Sequence, residues 1–245
     1  MNDSLKKWFL AFALLLIAGC YNSDDDDSEL WNAETVCPAE GTNAYGMPNR
    51  GTFTDERDGQ VYKYTTINDE VWMAENLRYG DSINSESLIG NTQCYNDIAE
   101  NCEIYGRSYT WAAAIDSVRR SNDTTFSRQG ICPEGWHLPY SSEWNDLIDF
   151  VGGYFGYEKA NKELKSTNGW NEDTELHDNY GFSVIPTDSA GTRSYFWTAS
   201  ELTDKDAMAV KFSSELDYVD VAQFPKRNHF SIRCVHDKIK KCKKR

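Results

Sequence analysis

The segments Cys132–Trp144, CPEGWHLPYSSEW, and Phe230–Val235, FSIRCV, decide the fold of this chain. The first predicts a tight turn and then the start of a helix, and the second alternates from face to face as a strand does. Between them, Cys132 and Cys234 frame about one hundred residues that are rich in Trp, Gly and aromatic strands. We therefore expect an exported α+β domain that is clamped by disulfides.

Two amphipathic helices and seven short strands are predicted from the hydrophobic pattern. One helix covers Tyr109–Arg120, and the second contains Trp144–Val151 and ends at Gly152, since apolar residues recur about every turn in both. We expect these helices to pack on mostly antiparallel strands. The predicted strands are Thr52–Thr54, Val61–Ile67, Val71–Met73, Tyr180–Pro186, Tyr195–Ala199, Ala207–Phe212 and Phe230–Val235.

A hairpin is predicted between the first two strands. Asp58-Gly59 is a strong signal for a two-residue turn, which needs a positive φ at both positions. Asp55 and Asp58 also permit a calcium-loop interpretation. Arg57 stands where a ligand is needed and no Glu closes the loop, so we favour the hairpin.

The first twenty residues predict an export signal that is not part of the fold. Two lysines precede the apolar run Trp8–Ala18, which as a helix reaches roughly 16 Å and cannot cross a hydrocarbon core of about 30 Å. The run leads to Cys20 through small residues that resemble a bacterial lipobox. We expect Cys20 to be the lipidation site that ties the protein to a membrane, with an ordinary signal peptide and a chance Cys as the alternative.

Four segments follow from this pattern: a signal peptide at 1–19, an acidic flexible tether at 20–36, the folded domain at 37–237 and a basic tail at 238–245. The tether contains Asp24–Asp27 and resembles the acidic export signals of surface lipoproteins in Bacteroidetes-like bacteria. We expect a lipid-anchored outer-membrane protein that faces the cell exterior, with the periplasmic face as the alternative.

Six cysteines remain beside Cys20, an even number that suggests three disulfides in an exported chain. Fifteen pairings are open to six cysteines. Short sequence separation favours the pair Cys94–Cys102, Cys132 and Cys234 frame the long segment described above, and Cys37 and Cys242 are the two that remain. The expected pairs are Cys94–Cys102, Cys132–Cys234 and Cys37–Cys242.

The charge of the chain argues against a nucleic-acid partner. Residues 28–237 hold 34 acidic and 17 basic side chains, which gives a net charge of −17. Phosphate backbones are bound by basic faces, so we expect no nucleic acid. Neither Cys-x-x-Cys nor His-Glu-x-x-His occurs, and we expect no metal and no cofactor.

Six motifs together resemble the Fibrobacter succinogenes major paralogous domain family over roughly residues 51–237. The resemblance implies a C-type-lectin-like fold, a superfold that also contains formylglycine-generating domains, and an exported lipoprotein of unknown biochemical role. The motifs are Trp72–Leu77, Tyr105–Arg107 with Tyr109–Trp111, Cys132–Pro139 with Glu143-Trp144, Tyr180–Phe182, Phe196–Glu201 and Ser231–Val235.

Two positions depart from the family pattern. Tyr140 stands where a hydroxyl residue would open a capping box with Glu143, so we expect the box to be lost at a cost of up to about 1 kcal/mol. The stretch Pro186–Tyr195 is shorter and less Gly-rich than the family pattern. We expect ligand specificity in the loops around 152–175 and 186–195.

The residues favour a non-catalytic surface module that binds a polysaccharide or an envelope protein. Trp170 lies in a polar loop and is the candidate for ligand binding, although a ring folded back on the core is the simpler alternative. A Cys-dependent enzyme of the formylglycine-generating type would use Cys234, and a purely structural envelope protein is the third hypothesis. His137 is expected to be structural, with general-base catalysis as its alternative.

Overall fold

The computed structural model describes residues 49–116, 129–153, 156–171, 175–216 and 218–237. The expected signal peptide, acidic tether and basic tail lie outside these residues, as do Cys20, Cys37 and Cys242. Among the described helices, none is long and apolar enough to cross a membrane.

Short antiparallel strands and short helices alternate along the described chain. The strands are β1 (Arg50–Asp55), β2 (Gln60–Ile67), β3 (Glu70–Met73), β4 (Thr92–Gln93), β5 (Ser108–Tyr109), β6 (Trp136–His137), β7 (Arg193–Glu201), β8 (Asp206–Ser213), β9 (Asp220–Pro225) and β10 (Val235–His236). The α-helices are α1 (Ala99–Tyr105), α2 (Trp111–Ala114), α3 (Ser141–Gly152) and α4 (Gly156–Leu164).

The strands form three antiparallel sheets. The largest has the order β1-β2-β3-β10-β6, a second pairs β4 with β5, and the third has the order β7-β8-β9. Isolated bridges from Phe230 to Tyr109 and from Ser231 to Phe196 connect the last segment of the chain to both smaller sheets. The α+β class with antiparallel sheets is therefore confirmed, with four described helices where two were predicted.

The β1–β2 hairpin is confirmed, but its predicted two-residue turn is wrong. The last pair of the ladder is Asp55 with Gln60, which leaves four residues in the turn, and of these only Gly59 has a positive φ, of 76°. Asp55 is buried, and its carboxylate accepts Arg57 Nη2 at 2.7 Å. The Asp58 and Gly59 N–H groups donate to Asp55 O at 3.3 and 2.8 Å, which closes the wider turn.

The first predicted helix is much shorter than expected. It begins at Trp111, with Thr110 as its N-cap, and ends at Ala114, before Asp116 at a φ of 49°. Tyr109 belongs to β5, where it pairs with Thr92 of β4, and its N–H donates to Phe230 O at 2.8 Å. Residues 117–120 of the predicted helix lie outside the described residues.

Several elements and one irregular segment differ from the sequence-based prediction. Helices α1 and α4 and strands β4, β5 and β9 were not predicted, because they are short or bury few side chains. The predicted strand Tyr180–Pro186 is wrong, since within it only Val184 makes a bridge, to Lys165. Gly181 and Ser183 have φ values of 62° and 55°, which interrupt an extended chain.

Two apolar clusters form the core and meet at the last segment of the chain. Phe230, Ile232 and Cys234 belong to the first cluster, and Val235 belongs to the second, which surrounds Trp144. The predicted strand Phe230–Val235 is wrong over most of its length, since only Val235 belongs to a strand and Phe230 and Ser231 make isolated bridges. Both faces of the segment are buried, so its apolar residues pack in the core without a regular ladder. The helix α3 is confirmed, and Trp144 packs at 5.0 Å from the ring of Trp72.

Both disulfides within the described residues are as predicted. Cys94 bonds to Cys102 and Cys132 bonds to Cys234, with S–S distances of 2.03 and 1.98 Å. The long disulfide fastens the segment before β6 to the segment before β10. The two sheet strands that pair as β6 and β10 are therefore also joined covalently.

The start of α3 corrects the expected loss of the capping box. Tyr140 is the N-cap, and Glu143 Oε2 accepts the Tyr140 N–H at 2.8 Å, as the Glu of a capping box does. Ser141 N–H donates to Ser200 Oγ at 3.0 Å, so β7 supplies a second acceptor to the helix start. The Glu half of the box survives because the helix begins one residue after Tyr140.

Candidate binding site

A buried arginine connects three of the family motifs. Arg233 is 1% exposed, and its guanidinium donates to Asn76 Oδ1 at 3.0 Å, to Ser183 O at 2.9 Å and to Phe182 O. It also lies 4.5 Å from the centre of the Phe182 ring. Burial lowers the pKa of Arg233 to about 9, so the side chain stays charged at neutral pH.

The same contacts fix the end of α1. Asn76 Nδ2 donates to Tyr105 O at 2.8 Å, and Arg107 N–H donates to Leu77 O at 2.9 Å. Gly106 lies between them at a φ of 76°, where an added Cβ would be 2.5 Å from Asn76 Cβ. Only glycine fits this crossing, and the side chain of Tyr105 is thereby held at the surface.

A cavity of about 480 Å³ opens beside this crossing, and we call it the tyrosine cleft. Three of its lining side chains are Tyr95, Tyr105 and Tyr195, from three separate segments. Tyr95 and Tyr105 lie 5.3 Å apart with their rings tilted by 56°, and Tyr195 stacks on Phe230 at 4.7 Å. The aromatic walls therefore have fixed positions.

The tyrosine hydroxyls of the cleft face no protein partner in the described part of the chain. None of the three donates or accepts a hydrogen bond there, whereas buried Tyr109 donates to Tyr79 O at 2.8 Å. Burial raises the pKa of Tyr195, so this hydroxyl is a neutral donor at neutral pH. The cleft thus presents three rings whose polar ends are available to a ligand.

Polar and charged side chains also line the tyrosine cleft, among them Asp188 and His229. Asp188 is largely engaged, because Thr192 N–H and Oγ1 each donate to it at 2.7 Å. Burial alone would raise the pKa of Asp188, but these hydrogen bonds and that of the Arg193 N–H lower it. Burial lowers the pKa of His229, which leaves a neutral imidazole with one donor and one acceptor.

Asn96 and Asp97 form the outer edge of the cleft. Both are exposed and both have a φ of 55°, just after Cys94 of the short disulfide. Such values are uncommon for residues other than glycine and often mark functional segments. No group of three or more His, Cys, Asp or Glu among the described residues is placed to hold a metal ion.

The sequence profile of the Fibrobacter succinogenes major domain matches residues 65–236. The chain belongs to this family. No curated protein and no solved structure matches the chain. In this Fibrobacter succinogenes major domain, the matched region contains both described disulfides and every residue named for the tyrosine cleft.

The structure does not bring Trp170 into the tyrosine cleft of the Fibrobacter succinogenes major domain. Its indole N–H donates to Val184 O at 2.8 Å, and Lys165 Nζ lies 4.4 Å from its ring centre. The ring is half-buried against the second core cluster. A ligand-binding role for Trp170 stays a prediction, and any contact would be made outside this cleft.

Of the two loops of the Fibrobacter succinogenes major domain that were predicted to carry ligand specificity, one lines the tyrosine cleft and the other does not. Thr187, Asp188 and Arg193 of the 186–195 loop line the tyrosine cleft, whereas no described residue of 152–175 does. The short loop between Cys94 and Cys102 supplies the opposite wall, which the sequence did not indicate. Its Asn96-Asp97 pair was the available signal, because both residue types tolerate a positive φ.

His137 connects three parts of the structure through its two ring nitrogens. It is 2% exposed, its Nδ1 lies 2.7 Å from Asp237 Oδ1 and its Nε2 lies 2.9 Å from Glu143 Oε1. These contacts join β6 to the start of α3 and to the residue after β10. His137 is absent from the lining of the tyrosine cleft.

Proposed function

We propose that this domain is a non-catalytic module that binds a glycan at the cell envelope through the tyrosine cleft. The observation that carries the proposal is the set of three tyrosines that line one cavity of about 480 Å³. A sugar ring offers one apolar face for stacking and many hydroxyls for hydrogen bonds. Neutral His229 and the Asn96 amide add donors and acceptors that match such a ligand.

The alternatives from other classes have less support. A Cys-dependent enzyme needs a Cys234 thiolate, and the sulfur of Cys234 is fully buried in a disulfide with Cys132. A His137 general base would need access to substrate, and both of its ring nitrogens lie within hydrogen-bond distance of carboxylates. A purely structural envelope protein would leave the open tyrosine hydroxyls without a purpose.

The finer fold and the location form part of the proposal. We propose a C-type-lectin-like arrangement, supported by the family, the two disulfides and the joining of the chain's last strand to the core. We further propose a lipoprotein anchored through Cys20 in the outer membrane and facing the exterior. A Cys20→Ser variant that still partitions into detergent as the wild type does would contradict the anchor.

Affinity electrophoresis against a panel of neutral plant and bacterial polysaccharides tests the binding function. We expect retardation by at least one polymer, and Tyr95→Ala to weaken it about tenfold, or roughly 1.4 kcal/mol. Phe150→Ala is the matched control, because Phe150 is an exposed aromatic residue, 48% exposed, that does not line the cleft.

Two results would contradict the proposal. One is the absence of retardation by every polymer while the protein is folded and oxidised. The other is an equal loss in Tyr95→Ala and Phe150→Ala, which would place the contact outside the tyrosine cleft. Binding to a purified envelope protein that Tyr95→Ala abolishes would keep the cleft and replace the glycan.

A further inference from the structure

A second cavity, of about 280 Å³, lies on the other side of Gly106 from the tyrosine cleft. Four basic side chains line it, and we call it the basic cleft: Arg50, Lys63, Arg78 and Arg233. Only two lining residues are acidic, Glu75 and Glu103. Residues 28–237 have a net charge of −17, so this local excess of cations opposes the composition of the domain.

The positive charges of the basic cleft are held mainly by neutral acceptors. The three acceptors of Arg233 are an amide oxygen and two backbone carbonyls. Arg78 donates to Gln60 Oε1 at 2.8 Å and to Val61 O at 2.7 Å, and its guanidinium lies 4.4 Å from the Tyr62 ring centre. Neutral dipoles orient these cations, and the carboxylates of Asp178 and Glu75 act on Arg233 through their charge without accepting a hydrogen bond from it.

The two carboxylates that line the basic cleft compensate little of this charge. Glu103 Oε2 is 3.8 Å from Arg78 Nε and its side chain is 77% exposed, where ion pairs are weak. Glu75 Oε2 accepts the Lys63 backbone N–H at 2.7 Å. Among the described residues, no carboxylate lies within salt-bridge distance of Lys63 Nζ, and the side chain is exposed.

The backbone on the far wall is shaped around the arginines. Gly181 has a φ of 62°, and a Cβ there would lie 3.0 Å from Arg50 Cζ, so the absence of a side chain makes room for the guanidinium. Ser183 has a φ of 55° and is held by Asp178, whose Oδ1 accepts its N–H at 2.8 Å. Strained residues of this kind persist only where surrounding contacts hold them.

We propose that the basic cleft is a second binding site, which takes the anionic group of a small ligand. The group is a carboxylate or a phosphate, since arginine and lysine donors bind the oxygens of both. A volume of about 280 Å³ is at the lower end for ligand pockets, which fits a molecule of about one sugar ring. The low dielectric around buried Arg233 strengthens its attraction for the anion.

Isothermal titration calorimetry at low ionic strength tests the proposal with three probes: galacturonate, galactose and inorganic phosphate. Galacturonate and galactose differ in a single charged group, so we expect binding of the first and none of the second in this cleft. Lys63→Ala is expected to lower the affinity about tenfold, as for loss of one charged hydrogen bond. Lys159→Ala, an exposed lysine on α4, is the matched control.

The outcomes separate the anion source and the two sites. Phosphate binding that depends on Lys63, without galacturonate binding, supports the site and identifies phosphate as its chemistry. Equal losses in Lys63→Ala and Lys159→Ala overturn the proposal, because they indicate nonspecific attraction, and so does the absence of binding for both anions. Tyr95→Ala should leave anion binding unchanged, so a failure here does not count against the tyrosine cleft.

Discussion

Arg233→Lys tests whether the planar guanidinium, and not the charge alone, holds the scaffold together. Arg233 donates to three acceptors, of which Asn76 Oδ1 and Phe182 O are buried and Ser183 O is partly buried. A lysine ammonium is a point charge on a linear stem and cannot reproduce the fork. If at least two acceptors lose their donor at about 1–3 kcal/mol each, the free energy of unfolding falls by roughly 2–6 kcal/mol.

Urea unfolding with the disulfides intact, followed by tryptophan fluorescence, measures this loss. A change of that size is a large share of the roughly 5–15 kcal/mol that stabilises a domain. Arg193→Lys is the matched control: its guanidinium is 41% exposed and binds Glu215, so the unfolding midpoint should hardly move. A loss below about 1 kcal/mol for Arg233→Lys, at an unchanged m-value, would refute the importance of the fork.

Three further perturbations test other parts of the scaffold. Replacing Cys132 and Cys234 with Ala should lower the free energy of unfolding by about 4 kcal/mol, because the disulfide closes a loop of 102 residues; an unchanged urea midpoint would contradict this. Gly106→Ala should cost about 3 kcal/mol from backbone strain and crowding. Gly59 has the same φ as Gly106 but no atom within 4 Å of an added Cβ, so Gly59→Ala should cost about 1 kcal/mol. Equal shifts of the melting temperature in the two variants would exclude a contribution from crowding at Gly106. Burial lowers the pKa of His236 below 6.5 in the folded domain. As the pH falls, His236 therefore takes up a proton more readily in the unfolded chain than in the folded domain, and the free energy of unfolding should decline below about pH 6.5. His236→Gln should reduce this slope in urea titrations between about pH 7.5 and 5, and parallel slopes would count against it.

The sequence predicted those elements whose signal is local. The hairpin β1–β2, the helix α3 and the hairpin partners β7 and β8 each have a clear period of apolar residues, and each is confirmed. The segment Tyr180–Pro186 has an equally good strand pattern and is irregular. Its conformation depends on Arg233, fifty residues later, whose guanidinium donates hydrogen bonds to the carbonyls of Phe182 and Ser183. Hydrophobic period contains no information on such a distant donor.

The clefts could not be predicted for a related reason. Tyr95, Tyr105 and Tyr195 come from three segments, of which the third is far from the other two in sequence, and the fold brings them together at the crossing near Gly106. For Trp170, the polar loop around the tryptophan predicts exposure. Its indole N–H instead donates to Val184 O, 14 residues further along the chain. The sequence around Trp170 gives no sign of this contact.

Two residues of the family motifs hold the scaffold together and also lie in the wall of the basic cleft. Asn76 and Arg233 come from two family motifs and spend their polar atoms on the scaffold. Tyr105 and Gly106, from a third motif, form the inner end of the tyrosine cleft. Its outer edge, at Asn96, lies outside all of the motifs.

A domain built in this way keeps one internal framework while its cleft edges change at little cost in stability. Exposed residues outside the buried network contribute little to folding, so substitutions there are tolerated. Substitution at Arg233 would leave buried acceptors unpaired, which is costly in any member that has the same network. The family motifs at Asn76 and Arg233 therefore mark the buried network of this domain, whereas Asn96 at the edge of the tyrosine cleft lies outside that network.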